Sequence, residues 1–305
     1  MTKFSNYVGR FAPSPTGDLH FGSLVTAVAS YLRARSQNGK WLLRIEDIDQ
    51  KRNQKGSIYS ILKTLEMHGL EWDDEIIYQS QRSEIYRFYL NYLNEKKLIY
   101  KCSCSRKKLI NYYKNLQTME YIYPGVCRNK EIENKDFSTR IKAFNTFNIK
   151  FTDNIQGSIE QNLEKEVGDF VLWRNENIAS YQLAVVVDDE IQGITEIVRG
   201  SDLLFQTTRQ IYLQKCLNFK TLNYAHIPIL LNKENQKLSK QTKAEPLKNL
   251  NAKENICKIL NYIGFEEFII NYLNKNSKNS IELINNSVPY FDLSKINKVI
   301  SVQFE

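Results

Sequence analysis

The stretch GRFAPSPTGDLHFGSL, Gly9 to Leu24, combines an arginine, a serine between two prolines, a Thr-Gly step and a His-x-Gly-Ser step. His20, Gly22 and Ser23 fall where a strand and its loop meet a helix N-terminus, and unpaired N–H groups and the helix dipole favour an anion there. His20 can donate to a phosphate oxygen as charge builds during phosphoryl displacement, and Gly22 lets a flat ring or a phosphate approach the backbone. Taken alone, H-x-G-S also reads as an ordinary capped helix with a surface histidine. Further along, KLSK (Lys237 to Lys240) places two lysines around a serine in a polar stretch. Such lysines can close over a triphosphate, or simply form a solvated loop. A third group is Cys102, Cys104 and Cys127, with Tyr123 beside them in sequence. Thiolates at C-x-C with a distant fourth donor fit a tetrahedral structural Zn²⁺ site, although the usual spacing is C-x₂₋₄-C and the usual ligands are Cys and His. Three reduced, buried cysteines are the alternative.

These residues need a scaffold, and hydrophobic spacing indicates one. SNYVGRFAP reads as a strand ended by Pro13. Leu19 to Arg35 has helical periodicity, starting near His20, and GKWLLRIED is a second strand after an Asn38-Gly39 turn. Strand, helix, strand over this length is a parallel crossover, so the opening is doubly wound in character. Amphipathic stretches follow at Ile58 to His68 and at Arg82 to Leu98. Residues 100–182 read as an α+β insertion, with β-like runs at FNIKFTD and within GDFVLWRNENIASYQLAVVVDD. LAVVVDDEIQGITEIVRGSDLL is expected to be a buried strand, a turn at Gly193, a second strand, and a helix opening with Ser201 as N-cap. A helix over Gln206 to Leu217 and a strand in AHIPILL complete the body, and the chain from Pro246 is mostly helical.

Composition sets outer bounds. The 305 residues are 42% apolar and 25% charged, enough to fold around a sizeable core. No apolar run approaches the ~18–20 residues of a membrane span, and the N-terminus lacks signal-peptide order, so a cytoplasmic location is expected. The net charge is +8; from Glu245 onward seven lysines balance seven acidic residues, so the excess lies in the front of the chain. That asymmetry suggests a polyanionic partner, or only the Lys-, Asn- and Ile-rich composition that AT-rich coding produces. Five cysteines in a reducing compartment argue against disulfides, and Cys216 and Cys257 are expected to be buried thiols.

RFAPSPTGDLHFGS and KLSK, in this order and more than 200 residues apart, resemble the HIGH and KMSKS signatures of class I aminoacyl-tRNA synthetases. With RIEDID, YQLAVVVDD and EIVRGSDLL they resemble the catalytic half of the glutamyl-tRNA synthetase family. The resemblance implies a Rossmann-type doubly wound parallel sheet, its first half at 1–99 and its second at 183–244, interrupted by the 100–182 insertion and followed by a short helical region at 245–305. It departs from the signatures at Ser23, where the class has a second histidine, and at Gln241, where the lysine motif ends in serine.

The resemblance also implies an amino-acid site formed by Arg10, Ser14, Glu46, Tyr181 and Arg199. Guanidinium groups grip the carboxylates of glutamate, Glu46 holds its ammonium, and Tyr181 and Ser14 complete the pocket. His20, Gly22, Ser23, Lys237 and Lys240 then serve ATP, which brings Mg²⁺. Catalysis would rest on positioning and charge stabilisation, without a protein nucleophile. Read without the resemblance, Arg10, Glu46 and Arg199 are an internal salt-bridge network.

The C-x-C…Y-x-x-x-C pattern, the HFGS step and KLSKQ are similar to those of the glutamyl-queuosine tRNA(Asp) synthetases, in which tyrosine is the fourth zinc ligand. On that basis Cys102, Cys104, Tyr123 and Cys127 bind Zn²⁺, and the short stretch after Lys240 leaves no anticodon-binding body. The implied reaction is tRNA-independent activation of glutamate and its transfer to queuosine in the anticodon stem-loop of tRNA(Asp), by a monomer. A compact glutamyl-tRNA synthetase would share the catalytic residues. The run KCSCSRKKLINYYKNLQT, with Tyr112 and Tyr113, can follow an RNA backbone or be a solvated helix face.

Overall fold

The computed structural model describes residues 5–105, 107–110, 122–123, 125–133, 136–144, 148–237, 247 and 251–303. The chain opens with strand β1 (Val8–Phe11), helix α1 (Phe21–Ser36) and strand β2 (Lys40–Ile45). β1 and β2 pair in parallel, Arg10 opposite Leu42. The tight return between α1 and β2 uses Asn38 at φ 51, a left-handed conformation that asparagine tolerates better than most residues. Helix α2 (Ser57–Met67) leads to β3 (Asp73–Tyr78), which pairs in parallel with β2. Helix α3 (Ser83–Glu95) follows.

Next, β4 (Ile99–Cys102), β5 (Ser138–Ile141) and β8 (Val171–Trp173) form a small antiparallel sheet. Between them, β6 (Asn148–Asp153) and β7 (Gly157–Asn162) make a hairpin. Helix α4 (Tyr181–Ile191), β9 (Glu196–Gly200), α5 (Thr207–Cys216) and β10 (Asn223–Ile227) rebuild the parallel body. β10 pairs in parallel with β9 and also with β6, so the hairpin extends this sheet at Asp153. The two parallel sheets meet where Thr195 N donates to Val8 O at 2.9 Å. Beyond β11 (Ile229–Leu231), helices α6 (Ala252–Tyr262), α7 (Glu267–Asn276) and α8 (Ser280–Ser287) lead to β12 (Ser301–Gln303), which returns to pair with β11.

Alternation along β2 shows why the sheet is covered on both faces. Trp41 and Leu43 enter a core with α1, Ile61 and Leu65 of α2, and Ile256, Leu260 and Leu283 of the C-terminal helices. Leu42 points the other way, into a core with Tyr86, Leu93, the α4 residues Leu183 to Val187, and Leu213 of α5. The doubly wound α/β expectation is therefore met. No helix among the described residues is long and apolar enough to cross a membrane.

Three local expectations are overturned. LAVVVDD is not a strand; it lies within α4, where every residue from Leu183 to Asp189 is buried. A wholly buried apolar run carries no periodicity to separate helix from strand, and the valines tipped the reading toward a strand. The decisive signal is Ser180, whose side chain accepts from Leu183 N as a helix N-cap. Ser201 is not an N-cap either. It begins a 3₁₀ turn, Ser201–Gln206, and its hydroxyl donates to Ile300 O of the returning C-terminal segment. Cys216 and Cys257 are half-buried rather than buried. Burial still pushes the Cys216 thiol up to about 11, so it remains protonated at neutral pH.

Candidate functional site

A cleft of about 960 Å³ opens at the ends of β1, β2 and β9. It is lined by Arg10, Ser14, Glu46, Tyr181 and Arg199, the residues expected to hold an amino acid, and by His20, Gly22, Ser23 and Lys237, those expected to serve ATP. Lys240, Gln241, Tyr112 and Tyr113 lie outside the described residues. A smaller cavity of about 310 Å³, lined in part by Asp49, Lys51, Ser80 and Arg174, contains none of the residues selected from the sequence.

The loop after β1 is fixed against its neighbours. Glu46 N donates to Pro13 O at 3.0 Å, and Gln54 N donates to Pro15 O at 2.9 Å. Gly17 turns this loop at φ 130, a conformation that residues with a Cβ rarely adopt. The chain then enters α1 through His20, its N-cap. Ser23 N donates to His20 Nδ1 at 3.2 Å, so in the neutral ring the proton sits on Nε2, 2.9 Å from Ser23 Oγ. The first turn of α1 carries no acidic residue, which leaves the positive end of its dipole for an anionic ligand. Lys237 reaches the same cleft and pairs with Asp202 at 2.5 Å.

At the amino-acid end, Arg10 is buried and pairs with Asp189 at 3.2 Å. Asp189 also accepts Arg44 at 2.8 Å, and Arg44 lies 3.5 Å from Glu46. Burial alone would raise the Asp189 carboxyl, but Arg10 and Arg44 outweigh it and hold it below the usual carboxylate range. For Glu46 the balance runs the other way: burial, with Asp189 and Asp188 nearby, holds it above the usual value despite Arg44 and Arg10. The neighbouring Asp188 accepts from Gln79 and Arg82, each at 2.7 Å, and from Tyr86 at 2.8 Å.

On β9, Arg199 is 4% exposed. Its Nε lies 3.0 Å from His226 Nε2 and its Nη2 donates to Thr207 at 2.9 Å, whereas its buried Nη1 has no partner. Leaving a buried guanidinium nitrogen unsatisfied is costly unless a ligand completes it. Tyr181, the first residue of α4, is 36% exposed within the cleft.

The cysteine cluster forms a separate centre. The sulfurs of Cys102, Cys104 and Cys127 all lie within 4.8 Å of one another. Tyr123 Oη is 3.3 Å from Cys102 Sγ and 3.5 Å from Cys104 Sγ. At Zn–S lengths of ~2.3 Å, tetrahedral geometry puts sulfurs ~3.8 Å apart, so this donor set fits Zn²⁺. Burial would raise the Cys102 thiol, but its hydrogen bonds with Tyr123 and the Cys104 backbone, with Arg140 beside it, push it down to about 7. The Arg140 guanidinium also stacks 4.0 Å from the Tyr123 ring centre.

Sequence reading missed the groups that hold these side chains in place: Arg44, Asp188, Asp189, His226 and Asp153. Their signal was present in part. RIED carries Arg44 beside Glu46, and the twin aspartates end YQLAVVVDD. A charged pair closing an otherwise apolar run is unlikely to be wholly buried without a cationic partner.

The chain matches the family model "tRNA synthetases class I (E and Q), catalytic domain" over residues 7–256. It is 46% identical over 260 residues to a protein of Pseudomonas entomophila named glutamyl-Q tRNA(Asp) synthetase, covering 85% of each chain. A protein of the same name from Neisseria gonorrhoeae is 45% identical over 297 residues, covering 96% of this chain and 98% of that one. Among solved structures, a glutamate tRNA ligase from Elizabethkingia meningosepticum, in complex with its amino acid, superposes with a TM-score of 0.82 at 24% identity. That superposition covers 99% of this chain and 67% of the ligase, and it shows the shared fold.

Proposed function

This chain belongs to the class I tRNA synthetases of the E and Q type, among the glutamyl-Q tRNA(Asp) synthetases, and on that premise we propose that it activates L-glutamate with ATP, without tRNA, and transfers it to queuosine at the wobble position of tRNA(Asp). The observation that carries the amino-acid site is the partnerless Nη1 of Arg199, buried in the cleft that also contains Arg10 and Glu46. Glutamate brings two carboxylates and one ammonium. Arg10 and Arg199 supply the cations, Glu46 supplies the anion, and Ser14 and Tyr181 supply hydroxyls and a wall. His20, Gly22 and Ser23 at the start of α1, with Lys237 and Lys240, bind the phosphates of ATP.

In the first step an oxygen of the glutamate α-carboxylate attacks the α-phosphorus, and the bond from that phosphorus to the bridging oxygen of pyrophosphate breaks. The products are glutamyl-adenylate and pyrophosphate. Charge accumulates on the phosphoryl oxygens, where His20 Nε2–H and the α1 amides can stabilise it. Mg²⁺ arrives on the ATP phosphates. Cys102, Cys104, Cys127 and Tyr123 hold a structural Zn²⁺, which ties the end of β4 to the loop around Cys127. In the second step queuosine displaces AMP from the adenylate. The basic excess of the first 244 residues suits contact with the anticodon stem-loop phosphates. We take this reaction to occur in the cytoplasm and in a monomer.

The test supplies labelled glutamate and ATP with tRNA from queuosine-replete cells or from cells unable to make queuosine. Label only with the replete tRNA, unaffected by periodate blocking of the 3′ end, is expected. Equal labelling of both pools, abolished by that blocking, would instead establish a compact enzyme that charges the 3′ end.

A further inference from the structure

We infer that Asp153 and His226 are positioning residues for Arg199, joined in one buried hydrogen-bonded chain that runs from the β6–β7 hairpin to the amino-acid end of the cleft. His226 lies on β10, directly opposite Arg199 of β9 in the parallel register. Its Nδ1 is 2.6 Å from Asp153 Oδ2, its Nε2 is 3.0 Å from Arg199 Nε, and His226 is 0% exposed. Arg199 Nε can only donate, so His226 Nε2 must accept, and the ring proton must sit on Nδ1 and point at Asp153. The chain thus has one direction: Arg199 donates to His226, and His226 donates to Asp153.

Asp153 is held as firmly as the ring it orients. Its Oδ1 accepts from the backbone N–H groups of Ile155 at 3.0 Å, Gln156 at 2.8 Å and His226 at 3.1 Å. Those donors fix the carboxylate so that only Oδ2 meets the imidazole. On the far side, Nε and Nη2 of Arg199 are occupied by His226 and Thr207, which turns the partnerless Nη1 away from them. The Thr207 hydroxyl lies 3.3 Å from His226 Nε2, and Tyr224 stacks parallel to the imidazole at 6.2 Å. Thus the guanidinium cannot rotate without breaking the contact with His226. The inference rests on the reading of Arg199 as a carboxylate ligand, and it assigns that ligand's orientation to a residue of the insertion.

Asp153→Asn is the informative variant. Three backbone donors claim the side-chain oxygen, so the new amide nitrogen must face His226 Nδ1 and force the proton onto Nε2, opposite the Arg199 Nε–H. We expect the imidazole ¹⁵N spectrum to show the Nδ1–H tautomer in the parent protein and the Nε2–H tautomer in the variant. Glutamate binding by calorimetry should weaken about tenfold or more, with the ATP KM near that of the parent. His226→Gln, which can present an oxygen to Arg199, should bind glutamate better than His226→Leu. Arg199→Gln is measured in parallel. If it binds glutamate normally, the reading of Arg199 itself fails. If Arg199→Gln loses glutamate while Asp153→Asn binds normally, or if His226→Gln and His226→Leu bind equally, the positioning role alone is overturned.

Discussion

Arg10 and Asp189 form an ion pair at 3.2 Å beneath the cleft, with side chains 5% and 2% exposed. Asp189 is shared, because Arg44 lies 2.8 Å from the same oxygen. The two partners therefore differ in what their loss costs. Arg10→Ala leaves Asp189 paired with Arg44, whereas Asp189→Ala strands the buried Arg10 guanidinium and leaves Arg44 its bond to Gln192 and its longer contacts with Glu46 and Asp188. Removing one side of a buried pair typically costs about 3–5 kcal/mol. Denaturant unfolding should show a loss of that order for Asp189→Ala and a much smaller one for Arg10→Ala, while both weaken glutamate far more than ATP. Equal stability of the two variants would contradict the shared anchoring.

Glu46 makes glutamate affinity depend on pH. Its carboxyl is held above the usual value by burial and by Asp189 and Asp188, and the proposed role requires it ionised to meet the substrate ammonium. Ligand binding favours the ionised form, so binding releases a proton wherever free Glu46 is protonated. Affinity should be highest at neutral pH and fall as the pH drops through the raised pKa, above the ~4.3 of the substrate γ-carboxylate. Calorimetry in buffers of different ionisation enthalpy would measure the released proton. Glu46→Gln should bind weakly at every pH and release none.

Legibility of the fold followed periodicity. α1, itself mostly buried, repeats aliphatic residues at Leu24, Val25, Val28, Ala29 and Leu32 and is bounded clearly by His20 and Asn38-Gly39, so it reads to within a residue or two. α4 failed because complete burial erases the contrast on which such reading depends, and only Ser180 marked its start. In the site, residues aimed at ligand carried motif signals, and the cleft gathers nine of the ten selected for glutamate and ATP, with Lys240 outside the described residues. Those that support them did not. Asp153 and His226 are 73 residues apart and meet only because β6 docks beside β10. No local spacing encodes that register.

The returning strand β12 braces the approach to the lysine motif. β11 and β12 pair Leu230 with Val302, Gln303 donates to Asn235 at 3.0 Å, and Ile300 O accepts from Ile229 N at 3.0 Å. Lys237 bridges back to Leu231, so this ribbon lies at the root of Lys237, which the proposed function assigns to ATP. Each hydrogen bond contributes about 0.5–1.5 kcal/mol net, and their joint loss should loosen the root without touching Arg10 or Glu46. Deleting the chain from Ile300 onward is expected to raise the ATP KM several-fold and leave glutamate binding nearly unchanged. An equal loss for both substrates would show that β12 supports the whole body instead.

Zinc removal should separate the cysteine cluster from the cleft. The three sulfurs and Tyr123 join segments that are also linked through the short β4–β5 ladder, the Tyr123–Gly168 bridge and the contacts of Arg128 with Asp169, at 2.6 Å, and with Ala143 O. None of the cleft residues belongs to that cluster. Purified protein should carry close to one zinc per chain, and a strong chelator should expose the segment around Cys127 to proteolysis. Metal coordination supplies folding free energy locally, so glutamate and ATP should still bind while transfer to tRNA is lost. Cys127→Ser should reproduce the chelated state. A metal-free preparation that is fully folded, resists proteolysis and transfers normally would show that the three thiols are simply reduced and packed.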